Sequence, residues 1–185
     1  MKTLFISKPF FMEPLGLMYL SSAAKEAGHN IKLVDTSGDL EKKISEFSPD
    51  VIGYSVMTGD QELYLQINNR LKREFDFISL FGGPHPTFFP EIINEKGIDI
   101  VCKGEGEQTF VELLNKLQSK EDIFNIPNLW IKHNSKIIKN DLRSLEDLDK
   151  LSFPDRNLLD GFPEVKDGPI KHFLATRGCP FSCSY

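Results

Sequence analysis

Apolar residues recur along this chain in two alternating rhythms. Short apolar runs at Thr3–Ser7, Asn30–Val34, Val51–Val56, Phe77–Phe81 and Ile98–Cys102 have the length and composition of strands. Between them lie segments whose apolar positions return every three or four residues. The stripe is Leu17, Leu20, Ala24 and Ala27 in Leu15–Ala27, and Leu63, Ile67 and Leu71 in Asp60–Glu74. In Glu107–Gln118 it is Phe110, Leu113, Leu114 and Leu117. Leu40–Phe47 and Thr87–Glu95 read as shorter helices. Gly28 is placed to cap the first helix, and Ser48-Pro49 stops the second. The alternation predicts an α/β fold: a five-stranded parallel sheet, doubly wound in the Rossmann-like or flavodoxin-like manner, with right-handed crossovers. Such sheets bind ligands beyond the carboxyl ends of the strands, at a switch in strand order. That rule singles out the loops after Ser7, Asp35, Val56, Phe81 and Cys102.

Past Lys120 the rhythm changes. Asn128–Lys132 and Lys136–Lys139, joined across His133-Asn134-Ser135, predict a hairpin. Asp141 to Gly168 is charged and punctuated by prolines, as suits a linker or an extended wrap. Lys171–Thr176 reads as a new strand. The expected division is a ligand-binding domain over residues 1–120, a hairpin and linker over 121–168, and the start of a second domain over 169–185.

Composition narrows the classes. A chain of 185 residues that is 40% hydrophobic and 26% charged is ordinary for a globular protein. A formal net charge of −5 gives no general attraction to nucleic acid or anionic membrane, so neither is an expected partner. Three cysteines make no disulfide framework and fit a reducing cytoplasm. Lys8-Pro9 interrupts the first apolar run, which reads as a strand rather than a signal peptide. No stretch approaches the ~18 apolar residues of a membrane span.

The candidate chemistry lies in the loops at the predicted sheet edge. Ser55-Val56-Met57-Thr58 offers hydroxyls that can bond a polar ligand edge. Gly82 and Gly83, ahead of Pro84 and His85, let backbone approach a flat ligand with no side chain between. Gly104-Glu105-Gly106-Glu107 brings further glycines and N–H groups to the same edge. The same glycines would also serve simple tight turns. Neither the Walker spacing nor G-x-G-x-x-G is present, and the two glutamates oppose a phosphate. His85 could ligate a metal, bond a ligand amide, or be held by a turn. His29 is expected on the surface, and His133 and His172 have no partner histidine at ligand spacing. Cys102 is expected as a small buried residue ending a strand. Cys179 and Cys183 stand on a Gly-Cys-Pro loop where clustered thiolates suit iron–sulfur ligation. A third cysteine at the next spacing would fall just past Tyr185. The run is therefore expected to be a metal-cluster motif cut short, and the chain to be the front module of a larger enzyme.

These residues resemble a known family. Thr176-Arg177-Gly178-Cys179-Pro180-Phe181-Ser182-Cys183-Ser184-Tyr185 resembles the start of the radical S-adenosylmethionine motif, C-x-x-x-C-x-aromatic-C. Upstream, Pro14-Leu15-Gly16-Leu17-Met18-Tyr19-Leu20, Ala27-Gly28-His29, Gly82-Gly83-Pro84-His85-Pro86-Thr87 and Gly104-Glu105-Gly106-Glu107-Gln108-Thr109-Phe110 resemble the cobalamin-binding domain preceding that motif in one large subgroup. Phe153-Pro154-Asp155-Arg156 is similar to linkers usual there. The resemblance implies cobalamin on the carboxyl edge of the sheet, its nucleotide tail inserted among the loops. Pro9, Leu15, Gly16, Ser55, Val56, Met57, Thr58, Gly82, Gly83, Pro84, His85, Gly104, Glu105, Gly106 and Glu107 are the implied cofactor contacts, and Cys179 and Cys183 the implied metal ligands. In the wider cobalamin fold a D-x-H-x-x-G loop after the first strand supplies a histidine to cobalt. Lys8 to Gly16 has no such motif, so histidine ligation from that loop is not expected.

The resemblance further implies a parent enzyme holding a [4Fe–4S] cluster and S-adenosylmethionine in a downstream barrel absent here. Its chemistry would be methyl transfer or a related reaction at an unactivated carbon. Two thiolates cannot supply three cluster ligands, so neither the cluster nor S-adenosylmethionine is expected to assemble on this piece. Two other readings compete: a regulatory flavodoxin-like domain, which would want clustered acidic residues where Ser7-Lys8-Pro9 stands, and a scaffold that has lost cobalamin.

Overall fold

The computed structural model describes residues 1–178 and 181. Cys179 and Cys183 lie outside the described residues. A single seven-stranded sheet runs in the order β2-β1-β3-β4-β5-β6-β7. The strands are β1 (Lys2–Ser7), β2 (Asn30–Asp35), β3 (Val51–Ser55), β4 (Ile78–Gly82), β5 (Ile100–Cys102), β6 (Leu129–His133) and β7 (Lys136–Lys139). The first five are parallel, and β6 and β7 are antiparallel. The order reverses between β1 and β3, the switch point of a doubly wound sheet.

The expected five strands are thus seven. Asn128 to Lys139 does not stand apart from the sheet but continues it, β6 pairing with β5 from Ile100↔Ile131 to Cys102↔Leu129. The reason lies in burial. Leu129, Trp130 and Ile131 are all buried, so β6 is covered on both faces and needs the sheet as its neighbour.

Alternation along each strand divides the core in two. Phe5, Ile31, Leu33, Val51, Leu80 and Ile100 face one layer of helices, α1 (Leu15–Glu26) and α5 (Glu107–Ser119). Leu4, Ile6, Ile52, Tyr54, Phe81 and Val101 face the other, α2 (Leu40–Phe47) and α3 (Gln61–Leu71). Each fully buried aliphatic or aromatic side chain contributes about 1.5–3 kcal/mol, so these layers dominate stability. The helix α2 starts where the Asp39 carboxylate accepts the Lys42 N–H at 2.9 Å.

Three further expectations are corrected. The helix expected at Thr87–Glu95 is split into α4 (Pro84–Phe88) and a 3-10 turn at Pro90–Asn94. Pro90 has no N–H to give and its ring crowds the preceding turn. Lys171–Thr176 is not a strand; it crosses the carboxyl edge, held by side chains rather than a ladder. His29 is not on the surface. It is 5% exposed, with Nε2 3.0 Å from Asn115 Oδ1. The turn after α1 tucks it between the amino terminus and α5. The segment after β7 behaves as a wrap: Leu158, Leu159, Phe162 and Val165 are buried on the α1–α5 side, the last three around the short helix α6 (Pro163–Lys166).

Candidate cofactor-binding site

A slot opens at the carboxyl edge between the sheet and the α1–α5 layer, with a volume of about 240 Å³. Its floor follows from strand register. Phe5, Gly53 and Leu80 are neighbours across β1, β3 and β4. Ser55 and Gly82 pair one step further along the same face, about 6–7 Å nearer the edge. Gly53 lets the Phe5 ring lie against the strand backbone: a Cβ there would come within 2.7 Å of it. The Phe5 ring tilts against Phe110 of α5, with centroids 5.6 Å apart.

The mouth is built by loops. Val56 N–H donates to Gly82 O at 2.8 Å, and His85 N–H donates to Val56 O at 2.9 Å, stitching the loops after β3 and β4 together. Gly83 sits between them at φ +95°, where a Cβ would come within 2.9 Å of Val56 N and 3.1 Å of Ser55 Oγ. Thr87 Oγ1 donates to Gly83 O at 2.8 Å and accepts from Gly104 N–H at 3.0 Å, tying in the loop after β5. Cys102, at the end of β5, lines the slot, and burial pushes its thiol up to about 12.

The segment before the cysteine loop lies across this mouth as a strap. Leu174 and Arg177 both line the slot. Arg177 Nη2 donates to Glu107 at 2.7 Å, Nη1 lies 3.6 Å from Glu105, and the guanidinium stacks 5.0 Å over the Tyr19 ring. Burial opposes its charge, but the bond to Glu107 and the two carboxylates outweigh that and raise its pKa. The other anchor is Glu13, whose side chain is 1% exposed. It accepts the His172 N–H at 2.7 Å and pairs with Arg156 at 3.4 Å and Lys171 at 4.0 Å.

Of the residues expected at the site, Gly16, Ser55, Gly82, Gly83, Gly104, Glu105, Gly106 and Glu107 line the slot together. Pro9, Met57 and Thr58 are exposed on the surrounding loops, Pro84 is exposed at the start of α4, and Leu15 packs into the α1–α5 core. Val56 is fully buried on the opposite face of the sheet, so it acts through its backbone. His85 Nδ1 lies 3.1 Å from Thr58 Oγ1 and its ring stacks on Phe89. Sequence reasoning missed Phe5, Gly53, Phe110, Tyr19 and Arg177. Gly53, a lone glycine inside a strand, was the available signal; the others read as core or as flank.

A family profile described as "B12 binding domain" matches residues 1–114. The chain belongs to the B12-binding domain family. This B12-binding domain is 34% identical over 185 residues to the "Uncharacterized methyltransferase PH0819" of Pyrococcus horikoshii, covering 93% of this chain and 40% of that protein. It is 26% identical over 190 residues to the anaerobic magnesium-protoporphyrin IX monomethyl ester cyclase of Synechocystis, covering 94% and 38%. Among solved structures, the radical enzyme OxsB with aqua-cobalamin bound matches with a TM-score of 0.76 at 20% identity, over 90% of this chain and 25% of that one. The methyltransferase TsrM from Kitasatospora setae, with cobalamin and a [4Fe-4S] cluster bound, matches with a TM-score of 0.67 at 19% identity, over 82% and 31%. These likenesses establish the fold. The domain spans about two fifths of the length of the curated relatives that it matches.

The cofactor of the family is cobalamin, and the residues present suit it. A flat macrocycle with a pendant base needs bare backbone at a sheet edge and a narrow apolar hole beneath. Gly82 and Gly83 supply the first, and the slot lined by Phe5, Leu80, Phe110 and Leu113 supplies the second. No helix among the described residues is long and apolar enough to cross a membrane.

Proposed function

We propose that this chain is the cobalamin-holding module of a larger radical S-adenosylmethionine enzyme, with methyl transfer the leading chemistry. The observation that carries this is the glycine-lined slot at the switch point, inside a family profile that covers all five parallel strands. In this reading Gly82, Gly83, Gly104 and Gly106 present backbone to the corrin and its tail. Ser55, Thr58 and the Glu105–Glu107 loop meet the polar periphery, and Pro9, Met57, Pro84 and His85 form the outer rim. Leu15 and Gly16 set the first turn of α1 beside the mouth, and Val56 holds the loop geometry through its backbone. When bound, cobalamin supplies a transferable methyl group, and the chain's residues orient it, shield it and place the strap beside it. The loop after β1 contains no histidine, so this module offers cobalt no imidazole from there.

Cys179 and Cys183 would be two of three thiolate ligands to a [4Fe–4S] cluster that binds S-adenosylmethionine, the third coming from the barrel that follows. The strap, described as far as Gly178, runs along the cofactor edge just ahead of these cysteines in the sequence. Relatives named as methyltransferases favour methylation, and the likeness to a magnesium-protoporphyrin monomethyl ester cyclase supports ring formation as the second reading. Reductive chemistry and a three-cysteine sequence without a disulfide framework favour a cytoplasmic parent.

Mixing the chain with hydroxocobalamin followed by gel filtration tests the reading. The corrin absorbance should travel with the protein, and Gly82→Leu should weaken retention, because a longer side chain at Gly82 enters the slot. Gly82→Ala meets only ordinary contacts at 3.8 Å and should leave the fold intact. Absence of corrin bands from the wild-type peak would reject it. Iron reconstitution of this piece alone should give no full cluster.

A further inference from the structure

The slot is apolar at depth and polar only at its mouth. The inner layer is Phe5, Gly53 and Leu80 from the sheet, with Phe110 and Leu113 opposite from α5 and Leu129 alongside. None of these side chains carries a hydrogen-bonding atom, and the strand backbone between them is engaged in the sheet ladder. Several of the polar atoms nearby are committed. Thr109 Oγ1 donates to Pro127 O at 3.3 Å and accepts from Asn128 Nδ2 at 3.2 Å. Glu105 and Glu107 face Arg177. Cys102 offers a buried neutral thiol, a weak donor. At about 240 Å³ the slot is smaller than the roughly 300–1,000 Å³ that encloses a whole drug-sized ligand. It has room for an appendage of one fused ring system, with the macrocycle left outside.

We infer that this slot selects a corrinoid whose tail ends in a benzimidazole-type base over one whose tail ends in a purine. The inference rests on the cobalamin reading above. The outer ring of a benzimidazole shows the pocket only carbon and hydrogen. The six-membered ring of adenine brings two ring nitrogens and an amino group, which lose their water on entry and meet no partner among Phe5, Leu80, Phe110 and Leu113. Ser55, the hydroxyl nearest the opening, stands one step of the strand above that layer and cannot serve it.

Equilibrium dialysis of the full chain against three corrinoids decides the matter: cobalamin, its analogue with adenine as lower base, and cobinamide, which has no base. All are used in the dicyano form, so that no base is on cobalt in solution and the comparison reads the slot. Cobalamin should bind tightest, with the adenine form weaker by roughly 10–100-fold, the range over which an apolar pocket rejects an analogue carrying extra polar groups. Gly82→Leu should bring cobalamin down to the level of cobinamide. Equal affinity for cobalamin and the adenine form would overturn the inference, as would cobinamide binding as tightly as cobalamin. Failure of all three to bind would instead remove the cobalamin reading, and this inference with it.

Discussion

Gly83 shows how much of the site rests on one backbone angle. At φ +95° it has a conformation that L side chains rarely adopt, and a methyl there would strike Val56 N at 2.9 Å. Gly83→Ala should therefore cost about 1–3 kcal/mol in urea unfolding and weaken corrin retention at the same time. A second residue carries a pH dependence. Burial, with the nearby amino terminus as the lesser cause, holds His29 below its ordinary 6.5, while the bond to Asn115 pulls the other way. The unfolded chain then takes up a proton before the folded chain does as pH falls. The contribution of neutral His29 is complete above the unfolded value and is lost as pH drops through the folded one. Melting temperatures measured from about pH 7 to pH 5 should fall less steeply in His29→Gln than in the wild type. Gly82, Gly83, Gly104 and Gly106 were legible as candidates because they cluster in the loops at one predicted sheet edge, although tight turns would use the same residues. His29 was not: the sequence shows a polar residue after a cap, and only the packing of α5 encloses it.

Among the elements, the five parallel strands announced themselves through runs of buried residues, and α1, α3 and α5 through their helical spacing, although Leu63 of the expected α3 stripe is exposed and Tyr64 is buried beside Ile67 and Leu71. What the pattern concealed was pairing. Leu129–His133 reads as half of an isolated hairpin until β5 is seen to lack a neighbour on its outer edge. Lys171–Thr176 has the composition of a strand but finds no open ladder, so it is held by charge instead. That difference can be measured. Glu13→Gln keeps the shape of the side chain but removes the charge facing Arg156, Lys171 and His172. Hydrogen exchange at His172, whose amide donates to Glu13, should rise by about tenfold, equivalent to ~1.4 kcal/mol, while amides of β1 and β3 stay protected. Unchanged exchange there would mean that the strap is fixed by other contacts.

For the molecule as a whole, ligand binding should appear as stability. With free cobalamin at about a hundred times its dissociation constant, mass action adds ~2.7 kcal/mol to the folded state. For a domain of this size that is roughly a 5–10 °C rise in melting temperature, and Gly82→Leu should abolish most of it. The overall fold class and the edge where a ligand sits could be read from the alternation alone. The slot itself could not, because it is lined from five strands and two helices far apart in sequence.

The belt formed by Leu174 and Arg177 has a kinetic meaning. Whatever lodges beneath it can leave only after the guanidinium parts from Glu107 and the chain lifts from Glu13. Cargo once seated should then exchange slowly for its affinity, surviving dilution and chromatography, and Arg177→Ala should speed its escape more than it slows its arrival. Loading would then come before the belt is fastened.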